Sequence, residues 1–172
     1  VPNGKYTIKL EARDSADNKD GGSVQWMTVT VDNETPGVSI STPSGLIAGT
    51  VDVIGSLTDL NPSTYTLEIK NTLTGDKVML DVDQPTGEFT DQTLYTWDTT
   101  LGDDVEYDIT FTGEDLAGNS TTIGVTGIIV DNTKPTATVL GTLTFITGDT
   151  TPRGINLADN HELDQVCYII DT

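Results

Sequence analysis

Apolar and polar residues alternate along much of the chain. From residue 107 onwards the apolar positions are Tyr107, Ile109 and Phe111, and the residues between them are polar. Tyr6 begins the same alternation near the start of the chain. Because successive side chains of a strand point to opposite faces, this period of two predicts half-buried strands. No stretch has the three-four apolar spacing of a helix, and Val, Ile and Thr favour strands, so we predict an all-β protein.

The strands are short and regularly interrupted by turns. In residues 34–133 we predict seven of them, at 37–41, 50–57, 64–71, 77–82, 92–99, 107–113 and 121–130. A turn at residues 74–76, which contains Gly75, separates the third strand from the fourth. Seven strands in about one hundred residues are typical of an immunoglobulin-like antiparallel β-sandwich. Tyr107 and Tyr6 open penultimate strands, where such sandwiches place a tyrosine whose hydroxyl bonds nearby backbone.

Parts of this pattern occur more than once. Residues 6–18 recur with substitutions as residues 107–119, and Val-Asp-Asn-x-x-Pro occurs at 31–36 and at 130–135. Residues 51–59 also align with residues 151–159 without a gap. A period of about one hundred residues predicts domain-sized repeats in tandem. We assign residues 34–133 to a complete repeat, residues 1–33 to the C-terminal part of a preceding repeat, and residues 134–172 to the N-terminal part of a following one.

Three motifs together resemble a known family. Tyr-x-Ile-x-(Phe/Leu), Asp-x-Ala-x-Asn and Val-Asp-Asn-x-x-Pro are similar to motifs of the bacterial immunoglobulin-like repeats of large surface and secreted adhesins. The resemblance implies a stalk, at the bacterial cell surface or secreted, that is often stiffened by Ca²⁺ and holds an adhesive domain away from the cell. The implied partners are neighbouring repeats of the parent chain and, through other domains, a host or neighbouring cell. The first copy departs from the second at Asp17, which aligns with Gly118, and at extra residues 19–22, so the equivalence of the two loops stays open.

The charge of the chain limits the classes of partner that it is expected to bind. It has 27 Asp and Glu against 8 Lys and Arg, a net charge of −19. Nucleic-acid binding needs cations that neutralise phosphates, and an anionic membrane would repel this chain, so we expect neither nucleic acid nor membrane insertion. Cations are the natural partners, although most scattered carboxylates need only keep the protein soluble. The single cysteine, Cys167, lies in an apolar, strand-like stretch, which predicts a buried and unreactive thiol.

The distinctive acidic residues fall into segments that this fold brings to one end of a unit. The loop after the second strand contains Asp59, and the loop after the sixth contains Asp115. Both should face the incoming linker. Oxygen donors from three segments suit Ca²⁺, which takes six to eight hard oxygen ligands. A second junction would be partly present near residue 159. The predicted ligands are Asp32, Asn33, Asp59, Glu114, Asp115 and Asn119 at the first junction, and Asp131, Asn132 and Asp159 at the second. The alternative is that these Asp and Asn residues only stabilise turns.

Enzymatic activity is not expected. His161 is the only histidine, and the chain has no nucleophile elbow, phosphate-binding glycine loop or zinc-type cysteine spacing. The leading hypothesis is a structural stalk segment. One alternative is a module that binds a glycan or protein through exposed aromatic residues, although Phe89, Tyr95 and Trp97 occupy predicted core positions. Another is a filament subunit, in which successive molecules complete one another by strand addition.

Overall fold

The computed structural model describes residues 1–19, 25–139, 155–161 and 163–167. These residues form twelve β-strands and one 3₁₀-helix, with no α-helix among them. Within the same ranges no helix is long and apolar enough to cross a membrane. The strands are β1 (Gly4–Leu10), β2 (Gln25–Val31), β3 (Gly37–Thr42), β4 (Leu46–Ile47), β5 (Thr50–Thr58), β6 (Pro62–Asn71), β7 (Lys77–Asp83), β8 (Phe89–Asp98), β9 (Glu106–Asp115), β10 (Ser120–Val130), β11 (Thr136–Val139) and β12 (Ile155–Ala158).

The middle of the chain forms two sheets around a shared core. One sheet has the strand order β3-β5-β8 and the other β4-β10-β9-β6-β7. All neighbouring strands are antiparallel except β4, which runs parallel to β10. Both sheets contribute side chains to one buried cluster: Val53, Leu57, Tyr65, Leu67, Ile69, Trp97, Tyr107, Ile109, Phe111, Ile128 and Val130. The architecture is therefore all-β and sandwich-like, and we call residues 36–130 the middle unit.

The seven strands predicted for this unit are confirmed to within a few residues. Two short elements were missed. The first, β4, has only two residues and exists because Leu46 and Ile47 pair with the distant end of β10. The second is the 3₁₀-helix Thr99–Leu101, whose first turn is capped by the side chain of Asp98. Neither element is long enough to produce a period in the sequence.

The predicted tyrosine corner is confirmed in both copies. The Tyr107 hydroxyl donates to the carbonyl of Asp103 at 3.0 Å and accepts from the N–H of the same residue at 3.1 Å. The Tyr6 hydroxyl donates to the carbonyl of Pro2 at 2.8 Å. In each copy the tyrosine hydroxyl therefore connects the start of the strand to the backbone of the preceding segment by hydrogen bonding.

The two ends of the chain form separate hairpins. In the first, β1 pairs with β2, and in the second, β11 pairs with β12. The apolar face of β1 is open, since Tyr6, Ile8 and Leu10 are 36%, 47% and 68% exposed. The equivalent residues of β9 are at most 1% exposed because the second sheet covers them. The alternation was thus predicted correctly for β1, but burial does not follow, because no second sheet covers this hairpin in the described chain.

The exposure of Cys167 contradicts another prediction. Its side chain is exposed, and residues 163–167 form no strand. The prediction of a buried thiol in a strand is therefore wrong, while residues 168–170 of that predicted strand lie outside the described residues. The aligned residue of the middle unit, Leu67, is buried because β6 pairs with β9 and faces the other sheet. No strand is paired in that way beside Cys167 in the described chain.

Candidate metal centre

The loop that follows β9 is organised by Asp115. This residue is 1% exposed. Its Oδ1 accepts from the N–H groups of Ala117 and Asn119, each at 2.8 Å, and its Oδ2 accepts from Asn119 Nδ2 at 2.8 Å. Gly118 closes the turn with a φ of 86°. Burial raises the pKa of Asp115, but the hydrogen bonds from Asn119, Ala117 and Gly118 outweigh it and leave the pKa below its usual value. The carboxylate is therefore charged at neutral pH.

The first copy contains the same loop. Asp14 Oδ1 accepts from the N–H groups of Ala16 at 2.9 Å and Asn18 at 2.8 Å, and its Oδ2 accepts from Asn18 Nδ2 at 2.8 Å. Asp17 has a φ of 64°, close to that of Gly118. Aspartate tolerates this left-handed conformation better than most residues. The two loops are therefore equivalent through Asn18, whereas residues 20–22 of the insertion lie outside the described residues.

Three carboxylates converge where the linker meets the middle unit. Carboxylate oxygens of Asp32, Asp59 and Asp115 all lie within 4.8 Å of one another. Asp32 follows β2, Asp59 follows β5 and Asp115 ends β9, so the cluster joins three separate segments. Asp32 and Asp59 are half-buried, and Asp115 is buried. We call these three residues the acidic cluster.

Local turns orient the two half-buried members of the acidic cluster. Asp59 Oδ1 accepts from the N–H of Asn61 at 2.7 Å, and Asp32 Oδ1 accepts from the N–H of Glu34 at 3.2 Å. The second oxygen of each has no hydrogen bond within the described part of the chain. No ion pair there reaches the cluster either, since those present involve Glu11, Asp17 and Glu68. Three such close negative charges repel one another unless a cation lies between them.

The linker also contacts the middle unit directly. Asn119 Nδ2 donates to the carbonyl of Asp32 at 3.1 Å. The two loops that hold the cluster are joined as well, because Leu116 N donates to the carbonyl of Asn61 at 2.9 Å. A cleft of about 410 Å³ lies beside the cluster, between the first hairpin and the middle unit. Its lining includes four acidic residues: Asp32, Glu34, Asp59 and Glu88.

The other predicted ligands of the first junction lie elsewhere or have other partners. Glu114 is exposed and outside the acidic cluster, because consecutive strand residues point to opposite faces of β9. Asn119 donates through its amide to Asp115 and to the linker, so it connects these two segments. Asn33 Nδ2 donates to Asn3 Oδ1 at 2.7 Å and to the carbonyl of Val1 at 3.2 Å. The structure therefore brings together the carboxylates of three of the six predicted residues, and Asn119 is bonded to two of those three.

At the second junction, the described residues contain no cluster of three His, Cys, Asp or Glu side chains. Asp131 Oδ1 accepts from the N–H of Thr133 at 3.1 Å, which matches the turn at Asp32. Asp159 Oδ1 is buried and has no hydrogen-bond partner among the residues that the structure describes.

Sequence reasoning missed the residues that surround Asn132. Asp104 accepts from the N–H of Asn132 at 3.0 Å and from the hydroxyl of Thr133 at 2.6 Å. The Thr133 hydroxyl and then the Asn132 N–H lower the pKa of Asp104. A signal for this contact exists, because Asn3 precedes Tyr6 by the same three positions that separate Asp104 from Tyr107. A polar residue therefore recurs at a fixed distance before each corner tyrosine.

Neither a scan against protein-family models nor a search of curated proteins finds a match to this chain.

Proposed function

We propose that this chain is a structural spacer segment of a bacterial surface or secreted adhesin, in which Ca²⁺ bridges tandem immunoglobulin-like units. The acidic cluster carries the proposal. It joins the linker to two loops of the next unit, and each of its three carboxylates offers an oxygen within 4.8 Å of the other two. Ca²⁺ fits this set because it accepts carboxylate, carbonyl and water oxygens in a flexible geometry. Mg²⁺ fits less well, because it demands a small octahedron.

The tandem arrangement is supported by features that occur twice. Both copies have a corner tyrosine bonded to backbone four residues earlier, and both have an aspartate that accepts the same three hydrogen bonds in the following loop. We therefore propose residues 1–33, 34–133 and 134–172 as parts of three successive immunoglobulin-like repeats. Extracellular location and neighbouring repeats as partners belong to the same proposal.

Exposed apolar residues of the middle unit support contacts at its ends. Among the residues of this unit whose exposure is described, the exposed large hydrophobic ones all lie in loops, at the helix or in the two-residue strand β4: Leu46, Leu60, Leu73, Leu101 and Leu116. Leu60 and Leu116 flank the acidic cluster in the chain. Leu101 ends the 3₁₀-helix and Leu73 lies in a loop, both at the opposite end of the unit, where Thr72 N donates to the carbonyl of Glu106. Apolar side chains at the ends of a unit suit end-to-end packing of a rod.

A ligand-binding module receives less support. Recognition of glycans or proteins relies on exposed aromatic anchors. All aromatic residues of the middle unit instead belong to the core or pack against it: Tyr65, Phe89, Tyr95, Trp97, Tyr107 and Phe111. Trp26 is 62% exposed, but it lies on the first hairpin beside Lys9.

A calcium titration by calorimetry tests the proposal. We expect the full chain to bind Ca²⁺ at the first junction, and Asp59→Asn to weaken binding about tenfold or more, because a ligand charge is lost from a half-buried site. Asparagine keeps the acceptor of the Asn61 turn, so the loop itself should survive. Glu114→Gln is the matched control, since it removes one charge from a neighbouring position outside the cluster, and its affinity should change little.

Chelation should also affect the whole fragment. Without Ca²⁺ the three carboxylates repel, so the melting temperature should fall and the radius of gyration measured by X-ray scattering should rise. Unchanged values in chelator, together with no heat of Ca²⁺ binding, would refute the calcium bridge.

A further inference from the structure

The second linker is bonded to the unit that it leaves. Asn132 Oδ1 accepts from the N–H of Gly49 at 2.8 Å, and its Nδ2 donates to the carbonyl of Thr99 at 3.1 Å. The backbone N–H of Asn132 donates to Asp104. The side chain and the backbone N–H of Asn132 therefore connect the linker to Gly49, Thr99 and Asp104 of the middle unit.

The residues on either side of Asn132 are held in the same way. Asp131 N donates to the carbonyl of Ile47 at 3.0 Å. The hydroxyl of Thr133 donates to Asp104 Oδ2 at 2.6 Å. Three consecutive linker residues are thus bonded to the middle unit, and Thr99 at the centre of the network is only 1% exposed. Buried hydrogen bonds of this kind restrict a segment more strongly than exposed ones.

The first linker repeats this arrangement with a different partner. The N–H of Asn33 donates to Asn3 Oδ1 at 2.9 Å, and Asn33 Nδ2 donates to the same oxygen at 2.7 Å. Asn3 occupies the position that Asp104 has in the second copy. The contact therefore persists although an amide replaces a carboxylate, which indicates that its geometry matters more than its charge.

The following unit holds the linker at other residues. The Asp32 carbonyl accepts from Asn119, the Asp32 carboxylate belongs to the acidic cluster, and Pro36 is fully buried in the middle unit. Only two residues separate Asn33 from Pro36. The linker thus has one anchor in the unit that it leaves and a second, very close anchor in the unit that it enters.

We propose that Asn33 and Asn132 are positioning residues that fix each linker to the unit it leaves without any cation. Calcium then acts only between the linker and the next unit. The proposal rests on the proposed function of this chain as a spacer, and it divides the stiffness of a joint into a permanent part and a calcium-dependent part.

Nuclear magnetic relaxation of the full chain in chelator tests this division at Asn132. In the unsubstituted chain we expect residues 131–133 to have backbone order parameters of about 0.85, as in the rigid strands. Their amide hydrogens should exchange as slowly as those of β10. In Asn132→Ala the order parameters of these residues should fall below about 0.6, the range of flexible segments. Asn160→Ala, which changes an exposed asparagine beyond the linker, should leave them unaltered.

A charge pair provides the rescue experiment. Asn132→Asp places a carboxylate beside that of Asp104, so the linker should become mobile. Adding Asp104→Asn removes this repulsion and provides an amide donor to the new carboxylate, so order should return in part. Failure of this rescue would overturn the assignment of Asp104 as a partner. A mobile linker in the unsubstituted chain, or an equally rigid one in Asn132→Ala, would overturn the whole proposal.

The outcome is separable from that of the calcium titration. If residues 131–133 are rigid in chelator but Ca²⁺ does not bind, the asparagine anchor stands and the calcium bridge fails. If Ca²⁺ binds but these residues are mobile, the bridge stands and the anchor fails. Should Asn132→Ala not fold, the relaxation and exchange rates of the unsubstituted chain still decide the proposal.

Discussion

Tyr107 combines two roles in one side chain. Its ring is buried and meets the ring of Trp97 edge-on, with centroids 5.1 Å apart, while its hydroxyl bonds both backbone groups of Asp103. Burial of the hydroxyl is the main reason that the pKa of Tyr107 is raised. The ring position could be predicted from the alternation, and the hydroxyl contact from the place of the tyrosine at the start of its strand.

Replacing this hydroxyl should destabilise the middle unit. In Tyr107→Phe the N–H of Asp103 loses its partner and the Asp103 carbonyl keeps only the N–H of Val105, so the free energy of unfolding should fall by about 1–3 kcal/mol. Urea denaturation followed by tryptophan fluorescence measures this change. Tyr95→Phe is the matched control, since the Tyr95 hydroxyl has no hydrogen bond within the described residues, and it should cost much less. Equal losses in the two variants would contradict the corner role.

Asp and Asn residues that are neighbours in one motif have different contacts in the structure. The motif Val-Asp-Asn suggests two similar ligands, yet Asp32 joins the acidic cluster while Asn33 bonds to the hairpin before it. Glu114 and Asp115 are neighbours in sequence but lie on opposite faces of β9. Sequence spacing indicates that oxygen donors are near a junction, but the direction of each side chain depends on the path of the backbone around it.

Among the elements, the loop between β8 and β9 binds the linker that follows β10. It holds Asp104, which accepts hydrogen bonds from Asn132 and Thr133 of the linker. The linker is thereby bonded to this loop directly after β10 ends. Strand lengths and turns could be predicted because they depend on local period. The docking of this loop on the linker brings together residues separated by almost thirty positions, and the only sequence signal of it is the polar residue three positions before each corner tyrosine.

The contact between this loop and the linker should make stability depend on pH. Because the pKa of Asp104 is lowered in the folded protein, its stabilising contribution is complete above the pKa of the unfolded chain and is lost as pH falls through the folded value. Urea denaturation in chelator at pH 5 and pH 3 should therefore show a decrease, mostly below about pH 4. In Asp104→Asn this decrease should be smaller. Equal decreases in both proteins would argue against the contact.

At the scale of the whole molecule, the described chain has one complete core and two open hairpins. The middle unit buries residues from two sheets, whereas β1 and β2 have only each other. A lone two-stranded hairpin is marginally stable in water. The linker connects the first hairpin to the middle unit, and the cleft beside the acidic cluster lies between the two. The apolar face of β1 is open.

Hydrogen exchange followed by mass spectrometry should separate these regions. We expect amides of β5, β6 and β9 to exchange only with global unfolding of the middle unit, and amides of β1 and β2 to exchange orders of magnitude faster. The measurement should be made at low protein concentration in the presence of Ca²⁺. Strong protection of β1 would contradict this expectation and would indicate that its apolar face is covered in solution, as in strand complementation between copies.

The sequence by itself determined the all-β class, the positions of the seven long strands, the corner tyrosines and the recurrence of the motifs. These properties follow from the alternation of apolar and polar residues and from the residues that favour turns, and both can be recognised within a short segment of sequence. Only the tertiary structure decided which carboxylates converge, which linker residues are anchored, and whether an apolar face is covered. Those properties depend on contacts between distant segments, so Asp59 and Asp159 or Leu67 and Cys167 can share a pattern and still differ in their surroundings.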